Sequence, residues 1–244
     1  MDKKRLLSDS LAKIMFGHLS EIKSLVDQFP QAHMTLKPDG TPVTELDLKL
    51  SELVEGIVDN SYPQHIFYSE EKYRVWDFPM AVLDPLDGTR EYIEGRNEWA
   101  ISLALFDNHH FEGEGWVYNP LKDECFTEAD PIPFAPKEVY RGEVSRSEWK
   151  KGLFTNRSTR KFDLSPVGSI AYKLARLSNA QSDFVLSLRP KNIWDIAAGT
   201  LLCQQAGFKF YSQGKEVTSV MPIFEPPLIW CPEELYPELS RLFP

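Results

Sequence analysis

Asp84-Pro85-Leu86-Asp87-Gly88-Thr89 is the stretch whose residue types and spacing best suit chemistry. The apolar run Met80–Leu83 before it reads as a strand that delivers Asp84 to its end. Pro85 fixes the turn that follows, and Asp87 returns three residues later. Two carboxylates and the Leu86 carbonyl then come within reach of one hard cation, and magnesium takes such oxygen ligands while keeping several waters. Gly88 lets the backbone approach a ligand, and Thr89 opens a short helix whose free N–H groups favour an anion. The same residues also spell an Asx-turn with Asp87 as a helix N-cap. Local physics leaves the two readings even.

Three other acidic segments bear on the choice, and each has a structural explanation of its own. In Tyr68-Ser69-Glu70-Glu71 a second short strand, His65–Tyr68, ends on carboxylates, although a surface Glu pair is usually just solvated. Asp195, in Ile193-Trp194-Asp195-Ile196-Ala197-Ala198-Gly199, is by default an N-cap, and the small residues after it permit close helix packing. Thr44-Glu45-Leu46-Asp47 reads as a capping box with Asp47 in the first helical turn. Competing chemistry is weak: none of the five histidines stands in HExxH or a nucleophile motif, and neither GxSxG nor a P-loop occurs.

The elements that must position these acids follow from periodicity. Leu7, Leu11, Ile14, Ile22 and Leu25, flanked by Met15, Leu19 and Val26, predict an amphipathic helix over 6–29 that Pro30 stops. After a loop with Pro38, Gly40 and Pro42, a second helix starts at Thr44 and buries Leu46, Leu50, Leu53, Val54 and Ile57. Trp99–Phe106, Gly115–Tyr118 and Leu121–Thr127 read as a meander of strands. The proline-rich stretch Asp130–Pro136 marks a boundary between an N-terminal α+β domain, 1–135, and a C-terminal α/β domain, 136–244. Beyond it lie a strand near Glu138–Ser145, a helix near Ser169–Leu177, a strand Phe184–Leu188, and a helix from Asp195 to Gln205 ended by Gly207. This order suggests a layered α/β sandwich.

Composition narrows the function classes. With 244 residues and 42% apolar content the chain can fold without a metal or disulfide, so a bound metal would be functional. A net charge of −9 repels duplex DNA and anionic lipid, which argues against nucleic-acid and membrane partners but not against a small phosphorylated substrate. The three cysteines are far apart without a CxxC pair and fit a reducing cytoplasm. No apolar run is long enough to span a bilayer, so a cytoplasmic location is expected.

Taken together, DPLDGT at 84–89, SEE at 69–71, TPVTELD at 41–47 and WDIAAG at 194–199 resemble the inositol monophosphatase superfamily in order and spacing. The resemblance implies a layered α/β/α/β/α sandwich of the inositol monophosphatase and fructose-1,6-bisphosphatase type. It implies magnesium-dependent, lithium-sensitive hydrolysis of a phosphate monoester by water, with two or three Mg²⁺ clamping the phosphate oxygens. Carried over by motif position, Glu70, Asp84, the Leu86 carbonyl, Asp87 and Asp195 would be metal ligands. Asp47 and Thr89, with Glu70, would form the catalytic group that orients water and takes its proton, and Gly88 and Thr89 would hold the phosphate.

Substrate choice departs from the inositol pattern. Arg90-Glu91-Tyr92-Ile93 after DPLDGT resembles the 3′(2′),5′-bisphosphate nucleotidase branch, as do Val144-Ser145-Arg146-Ser147 and Asn192-Ile193-Trp194-Asp195. Where the inositol branch carries a sugar-contacting acid, this chain has Ser187-Leu188-Arg189. Arg146, Lys173, Arg189 and Lys191 are the cations available to a second phosphate, and Ser169 is an added substrate contact. A nucleotidase is the favoured expectation. An inositol or related sugar phosphate phosphatase, and a non-catalytic magnesium-binding regulatory protein, are the alternatives, with room for a homodimer.

Overall fold

The computed structural model describes residues 10–30, 34–37, 40, 42–72, 75–155 and 160–243; Leu7, Pro38 and Thr41, used in the sequence reading, lie outside them. Helix α1 (Leu11–Asp27) starts on Ser10, whose side chain accepts from the Lys13 amide. Its buried stripe is Leu11, Met15, Ile22 and Val26, while Ile14 and Leu25, expected at the centre, lie at the edges. The helix rests on two partners at once, α2 (Glu45–Ser61) and strand β6 (Gly113–Asn119), and their contact lines decide which side turns inward. Before α2, strands β1 (Met34–Leu36) and β2 (Pro42–Thr44) pair antiparallel.

The first sheet has the order β3 (Ile66–Ser69), β4 (Met80–Asp87), β5 (Ala100–Phe106), β6, β7 (Glu124–Phe126). Strands β3 and β4 are parallel and the rest form the expected meander. Both faces are covered, so β4 and β5 are buried along their whole length, the reason they read as continuous apolar runs. Alternation still sorts them: Ala81, Leu83, Ile101, Leu103 and Leu105 face α1 and α2, and Met80, Val82, Ala100, Ala104 and Phe106 face the other way. Strand β4 does not end at Leu83. It continues through Asp87 with a shift of register against β5 between Asp84 and Asp87, a bulge that accommodates Pro85 and its missing donor.

Helix α3 (Thr89–Ile93) follows β4. Past an irregular stretch after β7 comes β8 (Tyr140–Ser145), then α4 (Arg146–Lys150), β9 (Phe162–Val167), α5 (Ile170–Ser178) and β10 (Phe184–Ser187). Strand β11 (Lys191–Asn192) leads into α6 (Ile193–Gln205), and β12 (Lys209–Ser212), β13 (Lys215–Glu216), β14 (Ile223–Phe224), β15 (Leu228–Cys231) and α7 (Tyr236–Leu242) complete the chain. The second sheet has the order β13-β12-β15-β10-β8-β9, with β8 parallel to both β9 and β10. Strand β9 was not legible in the sequence: it alternates with exposed polar residues and holds Pro166, which suits its place at the sheet edge.

One apolar core joins Val82, Ala104 and Val117 of the first sheet to α5, α6 and Val185, Phe210 and Trp230 of the second. A separate core lies under α1 and α2, and a third under α7. The layers are therefore α/β/α/β/α. The small residues after Asp195 make the middle layer close: a Cβ on Gly199 would stand 2.4 Å from the Leu174 Cβ. Helix α6 begins on Asn192, not on Asp195, which stands at the third helical position and accepts from the Asn192 amide at 2.8 Å.

Candidate active site

Parallel strands of both sheets deliver their carboxyl ends to one cavity of about 200 Å³, the place where open α/β sheets take ligands. Strand β3 leads to Glu70, and β4 carries Asp84, Leu86 and Asp87 and runs into Gly88 and Thr89. Strand β8 ends on Ser145, β9 runs into Gly168 and Ser169, and β10 ends on Ser187. Asp195, from α6, completes the acidic side.

The two local readings of the Asp84–Thr89 segment turn out to coexist. Asp84 Oδ1 does accept from the Leu86 amide at 3.0 Å, an Asx-type bond, but its buried Oδ2 has no hydrogen-bond partner among the described residues. Asp87 does cap a helix, though not its neighbour: its Oδ2 accepts from Ser169 Oγ at 2.5 Å and from the Ala171 amide at 2.6 Å, at the start of α5. Helix α3 instead begins at Gly88 (φ 101°) without a side-chain cap. A Cβ there would face a positive φ and a contact of 3.1 Å to Trp99 Cβ.

One carboxylate oxygen from each of Asp84, Asp87 and Asp195 lies within 4.8 Å of the others. Burial, reinforced by Glu70, Asp87 and Asp195, pushes the Asp84 carboxyl well above the usual range. Burial likewise lifts Asp195 to about 6, against the opposing pull of Lys191, and Glu70 to about 7, against that of Lys37. An orphaned buried oxygen among crowded acids is the signature of a cation site, and these hard oxygen donors fit a divalent ion. Glu70 lines the same cavity but stands outside the 4.8 Å group. Its Oε1 meets Lys37 Nζ at 2.6 Å, and the same ammonium reaches Glu71 at 2.7 Å. Sequence reasoning missed Lys37, and its only signal was a lone cation in the loop between α1 and α2.

Asp47 closes the capping box and also faces Thr89. Its Oδ2 accepts from the Thr44 amide at 2.8 Å and the Thr44 hydroxyl at 2.5 Å, closing the capping box. Its Oδ1 faces Thr89 Oγ1 at 3.3 Å, and that hydroxyl also lies 3.2 Å from the Leu86 carbonyl. Burial raises the Asp47 carboxyl to about 6, with the Thr44 bonds opposing.

The cations expected around the substrate are placed unevenly. Arg146 lines the cavity, but its guanidinium is bound to Glu98 and lies 3.5 Å from Glu91. Lys173 is 2% exposed, and its Nζ donates to the carbonyls of Ser169 at 2.7 Å, Val167 at 3.1 Å and Gly168 at 3.3 Å. Burial, with Lys191 adding repulsion, lowers its pKa to about 8. Arg189 is exposed and does not line the cavity, whereas Lys191 and Arg90 do. Ser169 lines it with its hydroxyl turned to Asp87.

Carboxylates this crowded can stay ionised together only around a cation, and enzymes that clamp phosphate esters through metal ions are built in this way. Residues 8–131 match the family model described as the inositol monophosphatase family, and the chain belongs to that family. Its members are metal-dependent phosphatases, and this chain is one. It is 28% identical over 205 residues to inositol monophosphatase 3 of Solanum lycopersicum, covering 71% of this chain and 75% of that one. It is 26% identical over 198 residues to the 3′(2′),5′-bisphosphate nucleotidase CysQ of Escherichia coli, covering 73% and 80%. The fold superposes on a solved IMPase/NADP phosphatase complexed with Mg²⁺ and phosphate at a TM-score of 0.78, with 16% identity, covering 95% of this chain and 94% of that one. Among the described residues no helix is long and apolar enough to cross a membrane.

Proposed function

We propose that the protein is a magnesium-dependent phosphomonoesterase whose substrate carries a second phosphate, as a 3′(2′),5′-bisphosphate nucleotide does. The observation that carries the phosphatase reading is the convergence of Asp84, Asp87 and Asp195, together with the buried Asp84 Oδ2 that has no partner among the described residues. With Glu70 and the Leu86 carbonyl these residues would hold the magnesium, which when bound polarises the phosphate and activates water. Thr89 takes a proton from the attacking water as it passes its own to Asp47, whose raised pKa suits a base working near neutrality. The uncapped first turn of α3 at Gly88 and Thr89 offers its N–H groups to the phosphate. Lys173 braces the loop 167–169 and so keeps Ser169 against Asp87.

The bisphosphate reading is supported by the cations Arg90, Arg146, Lys173 and Lys191, which line the same cavity as the acids. Apart from Glu70, Asp84, Asp87 and Asp195, the carboxylate that lines it among the described residues is Glu91, which is held by Arg96 and Arg146. The identity to the tomato inositol monophosphatase favours inositol 1-phosphate as the second reading. Phosphate release from a panel holding adenosine 3′,5′-bisphosphate and inositol 1-phosphate, with Mg²⁺ and with EDTA, decides. Activity surviving EDTA overturns the metal reading, and faster turnover of inositol 1-phosphate overturns the nucleotide one.

A further inference from the structure

Among the described residues, four cationic ones line the cavity: Arg90, Arg146, Lys173 and Lys191. Arg146 is neutralised by Glu98 and Glu91, and Lys173 is committed to three carbonyls. Arg90 is exposed, and a charge held in water contributes little to affinity. Lys191 differs from all three. It is half-buried, where a charge acts through a lower dielectric, and has no ion-pair partner among the described residues. Its ammonium influences both Asp195 and Lys173, so it stands within electrostatic reach of the site, yet it closes no salt bridge with Asp195.

The backbone that carries Lys191 is held on both sides. Lys191 pairs with Phe224 across the two-stranded β11–β14 ladder, and the next residue but one begins α6. The same cavity is also lined by the hydroxyl residues Ser145, Ser147 and Ser187. An ammonium on a cavity wall without an ion-pair partner is a ready partner for an anion.

Resting on the proposed function above, we propose that Lys191 receives the second anionic group of the substrate and is the residue that sets the preference for a bisphosphate over a monophosphate. The scissile phosphate belongs to the metal that Asp84, Asp87 and Asp195 would hold, and Lys191 binds the other anionic group.

The test compares the full chain with Lys191→Gln and Lys191→Arg on adenosine 3′,5′-bisphosphate and adenosine 3′-monophosphate, substrates that differ by one phosphate. The readout is the ratio of their kcat/KM values, in which any effect of the substitution on folding or on Asp195 cancels. Lys191→Gln should lower the ratio at least tenfold, through KM for the bisphosphate, and Lys191→Arg should keep most of it. A ratio unchanged within twofold in Lys191→Gln overturns the proposal. If the wild type treats the two nucleotides alike, the nucleotide reading falls. The same ratio is then read on inositol 1-phosphate and inositol 1,4-bisphosphate, and absence of a Lys191-dependent preference there too overturns the proposal itself.

Discussion

Replacing Asp47 with Asn should separate catalysis from stability. The carboxyl is 2% exposed, and its pKa rises from 3.8 to about 6 on folding, chiefly through burial. That rise corresponds to about 3 kcal/mol between its protonation states. The folded protein therefore binds this proton more tightly than the unfolded chain, so stability falls as pH rises between the two values, and the loss is complete above about 6. Asparagine removes this penalty, keeps an oxygen toward the Thr44 donors, and gives up only the charge at the start of α2, worth about 0.3–1 kcal/mol. Urea unfolding in EDTA should find the variant more stable than wild type by about 2 kcal/mol at pH 7.5, with the gap nearly closed at pH 4.5. Its amide, placed against Thr89 Oγ1, accepts no proton, so kcat should fall by roughly 10²–10⁴-fold. Thr89→Ala should lose a similar factor, and the double variant little more, as groups acting together do. A variant with kcat within threefold of wild type refutes the catalytic role, and full additivity refutes the pairing. A variant less stable than wild type in EDTA at pH 7.5 refutes the buried-charge reasoning.

Asp84→Asn should retain under a tenth of the wild-type rate. It should also lose the rise in unfolding temperature that Mg²⁺ gives the wild type, while unfolding no earlier than wild type in EDTA. Lithium chloride should inhibit hydrolysis at high magnesium well beyond an equal concentration of sodium chloride, and equal effects of the two salts would count against a family-like site. Gly199→Ala, whose new methyl would meet Leu174 Cβ at 2.4 Å, should cost about 1–3 kcal/mol in denaturant unfolding. A cost below about 0.5 kcal/mol would mean that α5 and α6 part more easily than their packing suggests.

What the sequence disclosed about this molecule was short-range. Strand, acids, glycine and helix start within 80–93 are dictated by neighbours, and their order along the chain could be read directly. The strand's extension through Asp87 could not, because it depends on a bulge shared with β5. Long-range partners were equally hidden. Asp87 caps a helix that starts 83 residues later, and Asp47 meets a hydroxyl 42 residues away. Arg146 and Lys173 look free in the sequence because nothing local announces Glu98 or the three carbonyls that engage them. Lys191 and Arg189 are two residues apart, and only the β11–β14 pairing shows which of them belongs to the cavity wall.

Asp87 serves two structures with one side chain: its carboxylate belongs to the acidic cluster and also secures the first turn of α5. The two neighbouring acids are thus open to different evolutionary fates. Position 84 can lose its charge in a lineage that abandons hydrolysis, since an uncharged isostere still accepts from the Leu86 amide. Position 87 is tied to the joint between the halves of the chain, and its loss would loosen α5 whether or not catalysis is still under selection. A descendant of this fold kept for binding alone would be expected to drift first at 84 and last at 87. For the same reason, anyone turning the scaffold into an inert phosphate receptor should begin by editing Asp84.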